Sequence, residues 1–124
     1  MTKKPKIYIA GPMRGLPNFN YPAFHDYAKA HRDVGWDVEN PAEIGAKYGT
    51  PEQINADPAT LAAVIAADLI ALETCDAVFL LDGWQNSSGA RTELAAALHY
   101  GLKINIAPNV EIPLTRREPT QEEP

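Results

Sequence analysis

Ala77-Val78-Phe79-Leu80-Leu81, followed by Asp82-Gly83-Trp84-Gln85-Asn86-Ser87-Ser88-Gly89-Ala90-Arg91-Thr92-Glu93, is the stretch on which the fold turns. Its first five residues are a continuous apolar run of strand length, the pattern of a central parallel strand covered on both faces. A small polar loop comes next, and a helical segment over residues 94–100 then carries Leu94 and Leu98 four apart before Gly101 stops it. A strand that runs through such a loop into a helix gathers free backbone N–H groups and the positive end of a helix dipole at one spot. That spot attracts anions. Glu93 lies one turn inside the helix, beside whatever anion binds there.

Working outward, Ile7-Tyr8-Ile9-Ala10 is a short β-prone run that ends at Gly11-Pro12. Residues 11–20 hold two Gly, two Pro and two Asn, which marks a shaped loop. Phe24, Tyr27 and Ala28 fit a helix over residues 21–34 with Pro22 in its first turn, and Trp36-Asp37-Val38 reads as a short second strand. Residues 40–58 look irregular, with Pro41, Gly45, Gly49 and Pro51 scattered through them. Asp57-Pro58 is a capping side chain followed by Pro at the first helical position, and opens a helix to about Glu73. Lys103-Ile104-Asn105-Ile106-Ala107 is the last strand. Strands alternating with helices predict a single α/β domain over residues 1–112. It should be Rossmann-like or flavodoxin-like, with a four- to five-stranded parallel sheet and helices on both faces. Residues 113–124 form a charged, Pro-rich tail expected to be flexible.

The 124 residues allow one modest core, and a hydrophobic content of 45% supports folding. A net charge of −5 with no basic stripe argues against polymeric nucleic acid as a partner. A small phosphate-bearing ligand needs only one Arg and a helix N-terminus. Cys75 stands alone among apolar neighbours, which suits a buried thiol in a reducing, cytoplasmic setting. No apolar run reaches the ~18 residues a membrane helix needs. His25, His31 and His99 have no ligand partners at metal-binding spacing, so no metal is expected. Neither the Walker pattern nor Gly-x-Gly-x-x-Gly is present, and no cofactor is expected.

In a doubly wound fold, ligands bind outside the carboxyl ends of the strands. That rule selects residues 11–20 and 82–89. Arg14, just past the first strand, can reach over the sheet edge as a bidentate anion ligand, although a surface Arg would look the same. Ser87 and Ser88 can cap the helix and bind phosphate with the same N–H groups, and Gly89 permits close backbone approach. Glu93 lies roughly 6 Å along the axis from those groups, at ~1.5 Å per residue. That is about the span from a 5′-phosphate to the anomeric carbon of a ribose. The positive helix end is expected to keep the Glu93 carboxyl ionised. Asp68 is an acid in an apolar helical stretch, on a face with Val64, Ile65 and Leu72, where a cleft is the favoured surrounding. Two carboxylates in separate environments are the equipment for cleaving a glycosidic bond. Tyr8 is placed to orient Glu93, and Trp84 to stack a base or to seal the surface.

Ile7-Tyr8-Ile9-Ala10-Gly11-Pro12-Met13-Arg14-Gly15, the stretch from Ala67-Asp68 to Asp76-Ala77, and Gly83-Trp84 with Ser87-x-Gly89-Ala90-x-x-Glu93 together resemble the nucleoside 2-deoxyribosyltransferase superfamily. The likeness is to its small phage and bacterial members of unassigned function, and it covers roughly residues 6–107. It implies Glu93 as a nucleophile that forms a covalent glycosyl-enzyme, Asp68 as the group handling base and proton, and Tyr8 as the residue positioning Glu93. It also implies a substrate loop that includes Gly11, Met13 and Arg14. Arg14 and Ser87 match the phosphate contacts of the branch that hydrolyses nucleoside 5′-monophosphates, which makes that activity the leading expectation. Base exchange between deoxynucleosides and a silent nucleotide-binding module are the alternatives. The resemblance further implies a homodimer or higher oligomer that completes the site, with Asn105 or Asn109 as donor. Gly11-Pro12-Met13 departs from the usual hydrolase loop, and residues 41–57 have no counterpart in it.

Overall fold

A computed structural model describes residues 4–113. Expectations about the charged tail therefore fall outside the described residues, save Pro113. Four strands, β1 (Lys6–Ala10), β2 (Asp37–Glu39), β3 (Ala77–Leu80) and β4 (Lys103–Ile106), form one all-parallel sheet in the order β2-β1-β3-β4. This is the flavodoxin-like order, and the α/β expectation holds. Five helices accompany the sheet: α1 (Tyr21–Asp33), α2 (Pro41–Ala46), α3 (Pro51–Ala56), α4 (Pro58–Glu73) and α5 (Ser88–Tyr100).

Strand alternation divides the core into two layers. Ile7, Ile9, Phe79 and Leu81 pack with Phe24 and Ala28 of α1 and Ala42 of α2. Tyr8, Ala10, Val78 and Leu80 pack with Leu69 and Leu72 of α4 and Leu94 and Ala97 of α5. The buried His31 belongs to the first layer, its ring 4.5 Å from that of Phe79. Cys75 is buried in the second layer, and burial pushes its thiol up to about 12, so it acts as a small hydrophobe.

Residues 40–58, expected to be irregular, are largely helical. Pro41 and Pro51 are not breakers but first-turn prolines of α2 and α3, where a missing N–H costs nothing. Asn40 accepts a bond from the Ala42 N–H at 3.0 Å. Thr50 and Gln53 complete a reciprocal capping box at 3.1 and 2.8 Å. At the start of α4, the Asp57 carboxylate accepts from the Thr60 hydroxyl at 2.6 Å rather than from a backbone N–H. Smaller shifts occur at β2, which begins after Trp36, and at β4, which ends before Ala107.

The chain leaves β1 toward β2 on one side and leaves β3 toward β4 on the other. A crevice opens where neighbouring strands diverge in this way. Gly11 follows β1 at that point, and no side chain fits there, since a Cβ would lie 2.7 Å from Leu81 Cβ. The two loops are thus pressed side by side.

Candidate active site

A cavity of about 420 Å³ opens at this divergence. One side is built by the two loops, with Gly11, Met13, Arg14, Ser87, Ser88 and Gly89 on its surface. Asp68 of α4 and Glu93 of α5 line its middle. Eight of the ten residues singled out in the sequence therefore share one cavity, and Tyr8 lies directly beneath it.

Tyr8 is fully buried, and its hydroxyl donates to Glu93 Oε2 at 2.7 Å. Burial, then the charges of Glu93 and Asp68, hold the Tyr8 pKa well above its ordinary value, so the phenol stays a donor. This bond joins residues 85 apart in sequence and fixes one Glu93 oxygen while leaving the other toward the cavity.

Glu93 is not held ionised by the helix end, contrary to expectation. Burial raises its carboxyl to about 8, opposed by the Tyr8 hydrogen bond and reinforced by the Asp68 charge. Desolvation of a charge in an enclosed site outweighs a partial dipole, whose effect is typically about 0.3–1 kcal/mol. Asp68 is raised to about 7 by burial, and its Oδ1 is buried with no hydrogen-bond partner among the described residues. The expected cleft-facing acid is there, as a carboxyl that lacks a donor.

Ser87 is the N-cap of α5 and accepts from the Ala90 N–H at 3.1 Å. Ser88 and Gly89 line the cavity, and their N–H groups are first-turn donors without an intrahelical partner. A Cβ at Gly89 would meet nothing closer than Ser87 Oγ at 3.9 Å, so the fold does not require glycine there, whereas a ligand approaching the backbone would. Arg14 is exposed and makes no hydrogen bond among the described residues, which leaves its guanidinium available.

Trp84 does not line the cavity. It occupies a short 3-10 turn and packs, half-buried, on the layer containing Tyr8 and Val78, the second of the two placements expected for it. Asn105 is 4% exposed within its own chain. Asn109 is exposed but not at this cavity.

Residues the sequence reading missed form the opposite wall: Phe19, Tyr21, Phe24, Gly45, Ile54 and Asn55 among them. Segment 41–56 supplies much of it, because α2 touches both α1 and α4 and α3 packs on α4. Arg32 fastens the wall with a forked pair of 2.8 Å bonds to Glu43, which lowers the Glu43 pKa. Asn18, Phe19 and Asn20 all have positive φ (52°, 55° and 60°) in the loop leading to α1. Left-handed backbone costs roughly 1–2 kcal/mol per non-Gly residue, and such strain clusters at functional sites. The Asn20 side chain holds the turn by donating to the Pro12 carbonyl at 2.9 Å.

Among the described residues no three His, Cys, Asp or Glu side chains gather as a metal-binding group, and no helix is long and apolar enough to cross a membrane. Fold and site together define a doubly wound α/β domain with a paired-acid cavity at its strand divergence. Residues 5–106 match the model of the family described as a domain of unknown function, DUF4406, and the chain belongs to that family. No curated protein matches it.

Proposed function

We propose that this protein hydrolyses the N-glycosidic bond of a nucleoside or deoxynucleoside 5′-monophosphate, as its resemblance to the nucleoside 2-deoxyribosyltransferase superfamily suggests. The observation that carries the reading is the 2.7 Å Tyr8–Glu93 contact, set in one cavity with Asp68 and the N-terminus of α5. The 5′-phosphate lies on the Ser88 and Gly89 N–H groups with Arg14 across from them. The free Glu93 oxygen attacks the anomeric carbon. The bond to the base nitrogen breaks, its electron pair stays with the base, and Asp68 gives the base a proton. Asp68, now a carboxylate, takes a proton from water, and the hydroxide releases sugar 5-phosphate and regenerates Glu93.

This cycle needs Glu93 ionised and the one proton of the pair on Asp68. Burial raises both carboxyls, so the pair holds a shared proton near neutral pH, and Glu93 attacks from the form in which that proton sits on Asp68. Ala62, Ala63, Ala66 and Ile70 form an exposed apolar face on α4, which supports association of copies of the chain. The buried lone Cys75 supports a reducing compartment such as the cytoplasm.

Incubating the protein with matched nucleosides and nucleoside 5′-monophosphates, and following free base by chromatography, tests the reading. Release from monophosphates with sugar 5-phosphate as co-product is expected. Base exchange confined to nucleosides would replace hydrolysis with transfer, and binding without release would make the cavity a nucleotide sensor.

A further inference from the structure

The proposed reaction leaves one cavity-facing hydroxyl unused. Tyr21 opens α1 and lines the cavity, and its hydroxyl makes no hydrogen bond among the described residues. That hydroxyl is closely seated. A Cβ at the buried Gly45 would come to 3.2 Å from the Tyr21 oxygen and 3.6 Å from Ile54 Cδ1. Gly45 lies within α2 with ordinary backbone angles, so it is the phenol, not the helix, that a methyl there would crowd. The chain reaches Tyr21 through the left-handed turn at Asn18, Phe19 and Asn20, which is a costly route to the start of a helix.

A buried unsatisfied group lines the same cavity. Asp68 Oδ1 is buried without a partner, and burial followed by the Asp68 charge raises the Tyr21 pKa. Tyr21 therefore stays protonated and able to donate. Around these two heads the wall is apolar, formed by Phe24, Ile54 and Val64. Buried polar groups are normally paired, so the bare Asp68 oxygen, in one apolar-walled cavity with an accessible Tyr21 hydroxyl, suits a flat ligand with a polar edge.

We propose that Tyr21 is a further catalytic residue of this site, donating a hydrogen bond to the departing base while Asp68 protonates it. The inference rests on the glycosidase reading. As the bond from anomeric carbon to nitrogen breaks, the electron pair passes to the base and the Asp68 proton moves to a ring nitrogen. Tyr21 keeps its proton and donates to a second acceptor, which spreads the charge leaving with the base. The favoured substrates are monophosphates whose bases carry two acceptors along one edge.

The test compares wild type, Tyr21→Phe and Gly45→Ala on two substrates: natural nucleoside 5′-monophosphates and a 4-nitrophenyl glycoside of the same sugar 5-phosphate. Nitrophenolate leaves without proton or hydrogen-bond assistance. Loss of one leaving-group hydrogen bond is expected to lower kcat on the natural substrates roughly 10- to 100-fold in Tyr21→Phe. Turnover of the nitrophenyl substrate should stay within about twofold, because an interaction absent from its transition state cannot be lost. Gly45→Ala displaces the hydroxyl by a few tenths of an ångström and should give the same pattern, smaller. Equal losses on both substrates, or none on either, would overturn the role of Tyr21 while leaving the glycosidase standing. A wild-type protein that cleaves neither substrate would remove the glycosidase reading itself, and this role with it.

Discussion

Replacing Glu93 by Gln should abolish base release and at the same time stabilise the protein at alkaline pH. The carboxyl rises from 4.5 to about 8 on folding, chiefly by burial. Between those values the unfolded chain has released its proton while the folded protein still binds one. Stability then falls as the pH rises across that window, and the contribution is fully present below 4.5. At about 1.4 kcal/mol per pH unit, the whole span corresponds to an upper bound of roughly 5 kcal/mol at a pH above both values. Gln has nearly the same shape, carries no charge, and keeps an oxygen to accept the Tyr8 hydroxyl. It also removes the repulsion with Asp68.

At pH ~9 we expect Glu93→Gln to be more stable than wild type by about 2–5 kcal/mol, and at pH ~5 to lie within about 1 kcal/mol of it. For a domain of this size such a gain raises Tm by roughly 10 °C or more. Urea and thermal unfolding at the two pH values, beside a base-release assay, measure all three quantities. A variant that is equally stable at both pH values, or less stable at the higher one, would refute the argument that Glu93 is held in a desolvated site. Retained base release would refute its role as nucleophile.

The remaining expectations concern the other parts of the cavity. Arg14→Ala should raise KM for monophosphates by roughly 10-fold or more, as loss of a charge-assisted contact does, and leave Tm unchanged because Arg14 is exposed and makes no hydrogen bond among the described residues. Steady-state kinetics beside a thermal melt decides it. The Asp68–Glu93 pair must hold one proton, so kcat/KM should peak between about 7 and about 8, falling below as both acids are protonated and above as both ionise. A profile flat from pH 5 to 9 would contradict it. Gly11→Ala puts a methyl 2.7 Å from Leu81 Cβ, and should destabilise by about 1–3 kcal/mol by denaturant unfolding. Ser87→Ala removes the cap bond to Ala90, which should lower stability by about 0.5–2 kcal/mol in the same measurement.

The sheet was legible because burial leaves a strong trace in sequence: a strand covered on both faces, such as residues 77–81, has no position at which a polar residue is tolerated. The cavity followed from topology, since strand order alone brings residues 11–20 against residues 82–89. Residues 40–58 were misread because four breakers were weighed as composition. Their positions, Asn40 before Pro41 and Thr50 before Pro51 with Gln53 behind, are capping signals that were present in the chain. Tyr21 could not have been found that way. Nothing local marks it, and its meaning depends on Gly45, 24 residues away in sequence, being bare. Trp84 stays between two readings in the sequence for a related reason, because a loop aromatic has the same sequence appearance whether it faces a ligand or its own core.

The largest discrepancy, the ionisation of Glu93, bears on how the site works. A helix N-terminus near a carboxylate is a one-dimensional argument and can be made from spacing. Desolvation depends on everything that encloses the group, here Tyr8 below and the walls of the cavity around it. When the two disagree, enclosure prevails, and the result favours the proposed chemistry. A carboxylate stabilised by water would have to shed that water to attack a sugar carbon. Glu93 has lost part of it on folding, so its negative charge is costly until positive character develops at the anomeric carbon. The Tyr8 hydrogen bond then fixes one oxygen, and the other is left as the atom through which the charge is relieved. Binding that strengthens only as the sugar becomes cationic is the differential stabilisation a glycosidic transition state requires.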